Sequence, residues 1–379
     1  DAIGAPPPRS QRDHCAHRPI PAGCNRPILT GPVWHSARMS ATAVTLEDVP
    51  ALALGCGVLG SGGGGATDGP ALVLAHQLAK GGRVDLLPAS TVVPEARVAC
   101  VGVYGSGTLL VETLPGPAAF RAALGGLEER HGSLDALLPI EVGGANGVLA
   151  AMVAAAVDRP LVDADPMGRA FSRLNDTVLA ARLPMREIFF ASATGATAHL
   201  QADRGDQLER VVQSLLPSVG GWGAIVAFPG RAEDVIPYAV RGAMSLALAV
   251  GRGLGRAASG QVDALREVPQ VRVVLDGWVT EVRRAPGVEV RGVASLSTRN
   301  RQPARLDFAN EYLALITAGE LQASAPDVLC VVDAGWLPIP VDEIRPGQQV
   351  RVLVVDAVED LRSAHVEFGA FGLTGRGYV

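Results

Sequence analysis

The sequence predicts a two-domain protein: a three-layer α/β domain on a mostly parallel sheet, then a smaller all-β domain, barrel or sandwich. Residues 45–170 alternate apolar strand patterns with helical ones, the order that builds a parallel sheet covered on both faces. After about residue 268 the helical patterns stop, and short strands separated by turn signals take over. Apolar residues make up 48% of the 379-residue chain, enough for a sizeable core. The expected organisation is an extension over 1–44 (disordered or non-native), an α/β domain over 45–267, a β-rich domain over 268–365, and a tail over 366–379 that returns to the α/β domain.

The elements follow in chain order. Residues 1–38 are rich in Pro, Arg and His, without periodicity or a continuous apolar stretch, and Met39 reads as a natural start. LEDVPALALGCGVLG suits a short helix, with Thr45 at its N-cap and Glu47 and Asp48 in the first turn. PALVLAHQLAKGG is a second helix, closed by Gly81. VDLLPA and ARVACVGVYGSG are strands, PAAFRAALGGLEERHG is a helix, and DALLPIEVGG is a strand ending in glycines. NGVLAAMVAAAVDRP is a helix and PLVDADPMGRAF a strand running into a loop. EIFFASATGATAHLQA is further strand, GDQLERVVQSLLPSVG a helix, WGAIVAFPG a strand, and AEDVIPYAVRGAMSLALAVGRGLGRA one long helix. The β-rich texture then runs through VRVVLDGWVTEVRRAPGVEVRGVASLS, RLDFANEYLALITAG, PDVLCVVDAG and QQVRVLVVDA.

Composition removes several function classes. Net charge is −5 with no Lys/Arg block, so nucleic acid is not expected as a partner. No long uninterrupted apolar stretch indicates a membrane span. The single lysine, Lys80, leaves no G-K-[ST] phosphate loop and makes a Schiff-base mechanism implausible. The five cysteines form no C-x-x-C pair, which suits a reducing compartment and a cytoplasmic protein. No local zinc spacing and no G-x-S-x-G occur, so no cofactor is predicted and metal status stays open.

In parallel sheets chemistry gathers at the carboxyl ends of strands. The run Ser61, Gly62, Gly63, Gly64 in LGSGGGGATDGP offers bare backbone amides in a concave nest, suited to a carboxylate, an imidate-like oxygen or a phosphate. EVGGAN places Glu141 at a buried strand tip, with Asn146 near a helix start. DADPMGR carries Asp163 and Asp165 two apart, on one side of an extended strand, an arrangement for an acid beside a base. Arg169 can pin one of them or clamp an anionic group. Asn310 and Glu311 in FANEY close the site from the β domain, or form a structural turn. Gly55–Gly60 matches G-x-G-x-x-G, which would bind a dinucleotide only if residues 46–54 form a strand.

Four stretches together resemble the S-methyl thiohydantoin desulfurase family: LALGCGVLGSGGGG, LLPIEVGGANGVLAAMVAAAVDRPLVDADPMGRAF, DFANEYLALI with APDVLCVVD, and the FGAFGLTG tail. The resemblance runs from about residue 46 to the end. The tail departs from the family's usual P-R-A-F-G-Y-D form, with Glu367 and Leu373 near those places. The resemblance implies an α/β N-terminal domain, a β-rich C-terminal domain, and hydrolytic loss of methanethiol from a five-membered ring to leave a hydantoin. The site residues are assigned from their chemistry. Glu141 or Asp163 is the general base, with Asp165 beside it. The 62–65 amides stabilise negative charge, and Asn146 or Arg169 orients the ring. The alternative is a non-catalytic partner subunit of a hydantoinase/oxoprolinase-type ATP-dependent amidohydrolase. Expected partners are a small-molecule substrate, such a hydantoinase/oxoprolinase, and other copies of the chain.

Overall fold

The computed structural model describes residues 41–286 and 290–357. The extension up to residue 40 and the chain from 358 onward, including the tail expected to return to the α/β domain, lie outside the described residues. The strands of the first domain are β1 (Thr42–Val44), β2 (Val84–Pro88), β3 (Arg97–Gly105), β4 (Ala136–Pro139), β5 (Leu161–Asp165), β6 (Glu187–Ser192), β7 (Thr197–Gln201), β8 (Trp222–Arg231) and β9 (Val240–Arg241). Its longer helices are α1 (Val49–Leu59), α2 (Asp68–Ala79), α3 (Pro117–His131), α4 (Ala145–Val157), α5 (Gly205–Leu215) and α6 (Ala243–Ala258).

The sheet order is β1-β2-β5-β4-β3-β8-β6-β7, with β9 beside β5. Pairs β2–β5, β5–β4 and β4–β3 are parallel, which supplies the parallel centre the alternating pattern requires. β1 and the β8-β6-β7 wing run antiparallel. One core lies against α1, α2, α3, α4 and α6. A second covers the opposite face beneath α5 and residues 232–239.

The second domain holds β10 (Val271–Arg284), β11 (Arg291–Thr298), β12 (Pro303–Ala309), β13 (Glu311–Thr317), β14 (Glu320–Ser324), β15 (Val328–Val332) and β16 (Gln349–Val355). They form one antiparallel sheet in the order β14-β13-β12-β11-β10-β16-β15, curled into a half-barrel. Its interior carries Leu306, Phe308, Tyr312 and Leu315. Its other face is continuous with the α/β core through Val328, Cys330, Val332, Leu353 and Val355.

Two expectations change here. Residues 46–59 are helical, a 3₁₀ turn over 46–48 followed by α1, so the dinucleotide reading of Gly55–Gly60 falls. Those glycines serve close packing. A Cβ on Gly55 would sit 1.7 Å from Ala247 O, and one on Gly251 1.7 Å from Ala51 O, so α1 and α6 touch backbone to backbone. The long helix expected over 232–257 is broken. Pro237 and Gly242 (φ +78°) end one helical stretch, β9 pairs with β5, and α6 begins at Ala243. That break points the N-terminus of α6 at Asp163.

Candidate active site

The glycine loop is the hinge of the site. Ser61 has φ +53°, Gly62 +79° and Gly64 +75°. Side chains are excluded there by neighbours as well as by backbone conformation. A Cβ on Gly62 would meet the Tyr312 ring at 2.4 Å, and one on Gly63 would meet Asn310 O at 2.6 Å. A Cβ on Gly64 would meet Gly143 O at 3.0 Å. The loop is sewn to both domains. The Tyr312 amide donates to Ser61 O at 2.7 Å, the Val341 amide to Gly62 O at 3.0 Å, and the Ala145 amide to Gly64 O at 2.9 Å. The Ser61 hydroxyl donates to Tyr312 O and Leu329 O, so its side chain ties the domains together and does not face a ligand. Among the described residues the amides of Gly62, Gly64 and Gly65 have no protein acceptor.

Beside this loop, the turn after β4 carries Glu141 and the start of α4 carries Asn146. Asn146 sits in the first turn of α4, and its Oδ1 accepts from the Val103 amide at 2.7 Å. That contact orients the side-chain amide, so Nδ2 donates to Glu141 Oε1 at 2.7 Å. The Phe171 amide donates to Glu141 Oε2 at 3.3 Å. Burial pushes the Glu141 carboxyl up to about 8; Asn146 and the Phe171 amide oppose the shift, while the neighbouring Glu311 and Asp165 carboxyls add to it. Glu141 is buried without being sealed, at 8% exposure.

Asp163 and Asp165 diverge. Asp163 caps α6: its Oδ1 accepts from the Met244 and Ser245 amides at 2.9 and 3.1 Å, and its Oδ2 from the Ser245 hydroxyl at 2.5 Å. Those bonds commit both oxygens to a helix start. Asp165 binds two loops together. Its Oδ2 accepts from the Val142 amide and its Oδ1 from the Gly168 amide, each at 2.6 Å. Burial raises its carboxyl to about 7 despite those donors. The structure therefore brings Asp165 to Glu141 through the 141–142 turn, and turns Asp163 toward α6.

Arg169 is fully buried and fully engaged. Nη2 meets Glu311 Oε2 at 2.6 Å, Nη1 donates to Pro326 O and Asp327 O at 3.0 Å each, and Nε donates to Ala170 O. A guanidinium so occupied is a strut between the domains, not a clamp for an incoming anion. Burial raises the Glu311 carboxyl, and Arg169 opposes the rise. Asn310 adopts φ +57° and its Oδ1 accepts from the Val290 amide at 3.1 Å, so of the two outcomes expected for it the structural turn holds. Glu311 does reach the site, packing against Gly63.

The candidate site is thus Glu141 after β4, Asn146 in the first turn of α4, Asp165 at the end of β5 and the Arg169–Glu311 pair across the interface, with the glycine loop packed against Gly143, Gly144 and Glu311. Sequence reasoning missed the backbone donors from Val103 and Phe171. It also missed Gly143 and Gly144 as the surface on which the glycine loop rests; their place in EVGGAN was the available signal. Among the described residues, no group of three or more His, Cys, Asp or Glu could hold a metal ion. No helix among them is long and apolar enough to cross a membrane.

Comparison with known proteins agrees with this architecture. A crystal structure of a protein from Chromobacterium violaceum superimposes with a TM-score of 0.72 at 22% identity, over 89% of this chain and 98% of that one. This likeness speaks to the fold. No curated protein matches the sequence. The family models "S-Me-THD-like, N-terminal domain" and "S-Me-THD-like, C-terminal domain" match residues 47–202 and 203–373. Their boundary precedes β8, which the structure places inside the first sheet. With both models matched end to end, the chain belongs to the S-methyl thiohydantoin desulfurase-like family.

Proposed function

We propose that this protein is a hydrolase for a small cyclic imide-like ring, an S-methyl thiohydantoin, releasing methanethiol and leaving a hydantoin. The family match supports the reaction class. The observation that carries the assignment within this chain is Glu141, a buried carboxyl with a proton affinity near neutrality beside a loop of open amides. A proton-transfer group works best when its pKa lies close to the working pH.

In this proposal the protonated Glu141 gives its proton to the ring nitrogen of the C=N–bearing carbon as water adds to that carbon. The carboxylate so formed takes a proton from the added water. Collapse of the tetrahedral species breaks the C–S bond; Glu141 gives its proton to the departing sulfur, and the carboxylate takes the proton of the new hydroxyl as C=O forms, which regenerates the protonated Glu141. Ring C=N and S–CH₃ are replaced by ring N–H and C=O, with one water consumed and one methanethiol released. In this reading the glycine-loop amides hold a ring carbonyl oxygen while charge develops. Asn146 keeps Glu141 in register, and burial, with smaller contributions from Glu311 and Asp165, holds its proton affinity high.

The test is incubation of the purified protein with S-methyl thiohydantoin, with methanethiol measured by a thiol-reactive chromophore and hydantoin by mass spectrometry. Catalytic, matched release of both products is expected. A ring that binds without release of thiol would overturn the proposal.

A further inference from the structure

At the far edge of the first sheet the structure holds a cavity of about 440 Å³ between α3 and the β6–β7 hairpin. Three strands, β3, β8 and β6, lie between β4 and β7. At about 4.8 Å per strand that places the cavity edge roughly 19 Å from the strand that leads to Glu141. It is a separate place in the molecule, and its size falls in the range of small-molecule sites.

Its walls have distinct chemistry. The α3 wall presents Ala122 and Gly126, which offer no hydrogen bond and leave the space open. The sheet wall presents Phe189 and His199, neighbours across β6 and β7, whose rings stack at 4.3 Å with 9° between their planes. Glu187 fixes that stack. Its carboxylate meets His199 Nε2 at 3.0 Å and His131 Nε2 at 2.8 Å. His131 in turn sets its ring edge-on to Phe189 at 5.9 Å. Partial burial is the largest single influence on Glu187 and pushes its carboxyl up, but the contacts with His199 and His131 together outweigh it and hold the carboxyl below the usual range, so it stays an ionised acceptor and both rings donate through Nε2. At the rim stands Arg130, half exposed, its Nε 3.8 Å from Glu187 and beyond hydrogen-bond distance.

The geometry points to a second ligand site here, for a small planar aromatic carboxylate. The ring lies in the cavity against His199, the more exposed member of the stacked pair, with Phe189 buried behind it. The carboxylate faces the Arg130 fork, the planar match for that group. Arg130 shares this rim with the carboxylates of Glu129 and Glu187, acidic surroundings that oppose a phosphate dianion more than a monoanion.

The test is calorimetric titration of the full chain with 2-naphthoate, alongside uncharged 2-naphthamide. Saturable binding of 2-naphthoate below about 1 mM is expected. Gly126→Leu should abolish it, because a Cβ at 126 meets only Phe189 at an ordinary 3.5 Å and the added branch fills the cavity. Arg130→Gln should weaken 2-naphthoate about tenfold while leaving 2-naphthamide within about twofold. Glu141→Gln should bind as wild type, which separates this site from the proposed active site. Absence of saturable binding to wild type overturns the inference. So does unchanged binding in folded Gly126→Leu, equal loss of both probes in Arg130→Gln, or loss of binding in Glu141→Gln. If Gly126→Leu fails to fold, the Arg130→Gln pair of titrations decides.

Discussion

Glu141 and Glu187 are the same side chain in opposite circumstances. Glu141 lies at the centre of the molecule among carboxyls, with Asn146 and a backbone amide as its donors, and burial pushes its proton affinity up to about 8. Glu187 lies at the sheet edge, partly exposed, bracketed by two histidines and near Arg130, and its proton affinity is pulled down. At Glu141 two donors do not repay the full desolvation, whereas at Glu187 burial is partial and the two histidine contacts outweigh it. The first arrangement makes a group that exchanges protons near neutral pH; the second makes a fixed anion that orders its neighbours.

The largest expected effect is on Glu141→Gln, with about a 10²–10⁴-fold loss of methanethiol release in steady-state assays. The same variant tests the electrostatics. A carboxyl whose folded affinity is raised from 4.5 to about 8 binds more protons folded than unfolded, so wild type loses stability as pH climbs through that window. Urea titrations at pH 5 and pH 8.5 should therefore show Glu141→Gln gaining on wild type at the higher pH. A pH-independent difference would return Glu141 to an ordinary affinity.

Next in size is Arg169→Met, which strands the buried Glu311 and should destabilise the fold by about 3–5 kcal/mol in denaturant titration. Arg169→Met/Glu311→Leu should regain much of that loss, since the stranded charge is gone. Asp163→Ala removes the cap of α6 and should lower stability by about 1–2 kcal/mol, with activity per folded molecule retained. Loss of activity without loss of stability would restore Asp163 as a reacting group and blur its distinction from Glu141.

Glu187→Gln is expected to change stability by less than about 1 kcal/mol, its carboxylate being partly screened. The sign is opposite to that at Glu141. A lowered carboxyl stabilises the fold above its unfolded pKa and loses that contribution as pH falls through the folded value. Thermal melts of wild type and Glu187→Gln should thus differ at pH 7 and converge in acid. A difference that grows in acid would mean Glu187 is not held as an anion.

Much of the architecture was legible in the sequence because it rests on local period. The strand–helix alternation, the β-rich second domain, the helix at 46–59 and the capping Thr45–Asp48 pair all follow from patterns within a few residues. The candidate site was legible in part. Glu141 and Asp165 converge because the ends of parallel strands lie side by side, and Asn146 follows Glu141 by five residues at the start of α4. The apparent single helix over 232–257 hid its own break, since the turn at Gly242 is stabilised by pairing with β5.

By itself the sequence determined the two-domain plan, the places where backbone had to stay bare, and the acids at the ends of buried strands. Only the tertiary structure decided which acid does what. Asp163 and Asp165 differ by two positions, yet one is claimed by amides 81 residues further along and the other by the turn that carries Glu141. Arg169 looked free to clamp a substrate until Glu311, 142 residues away, took its guanidinium. Local pattern sets conformation and burial, but the role of a buried charge depends on which partners the fold brings to it.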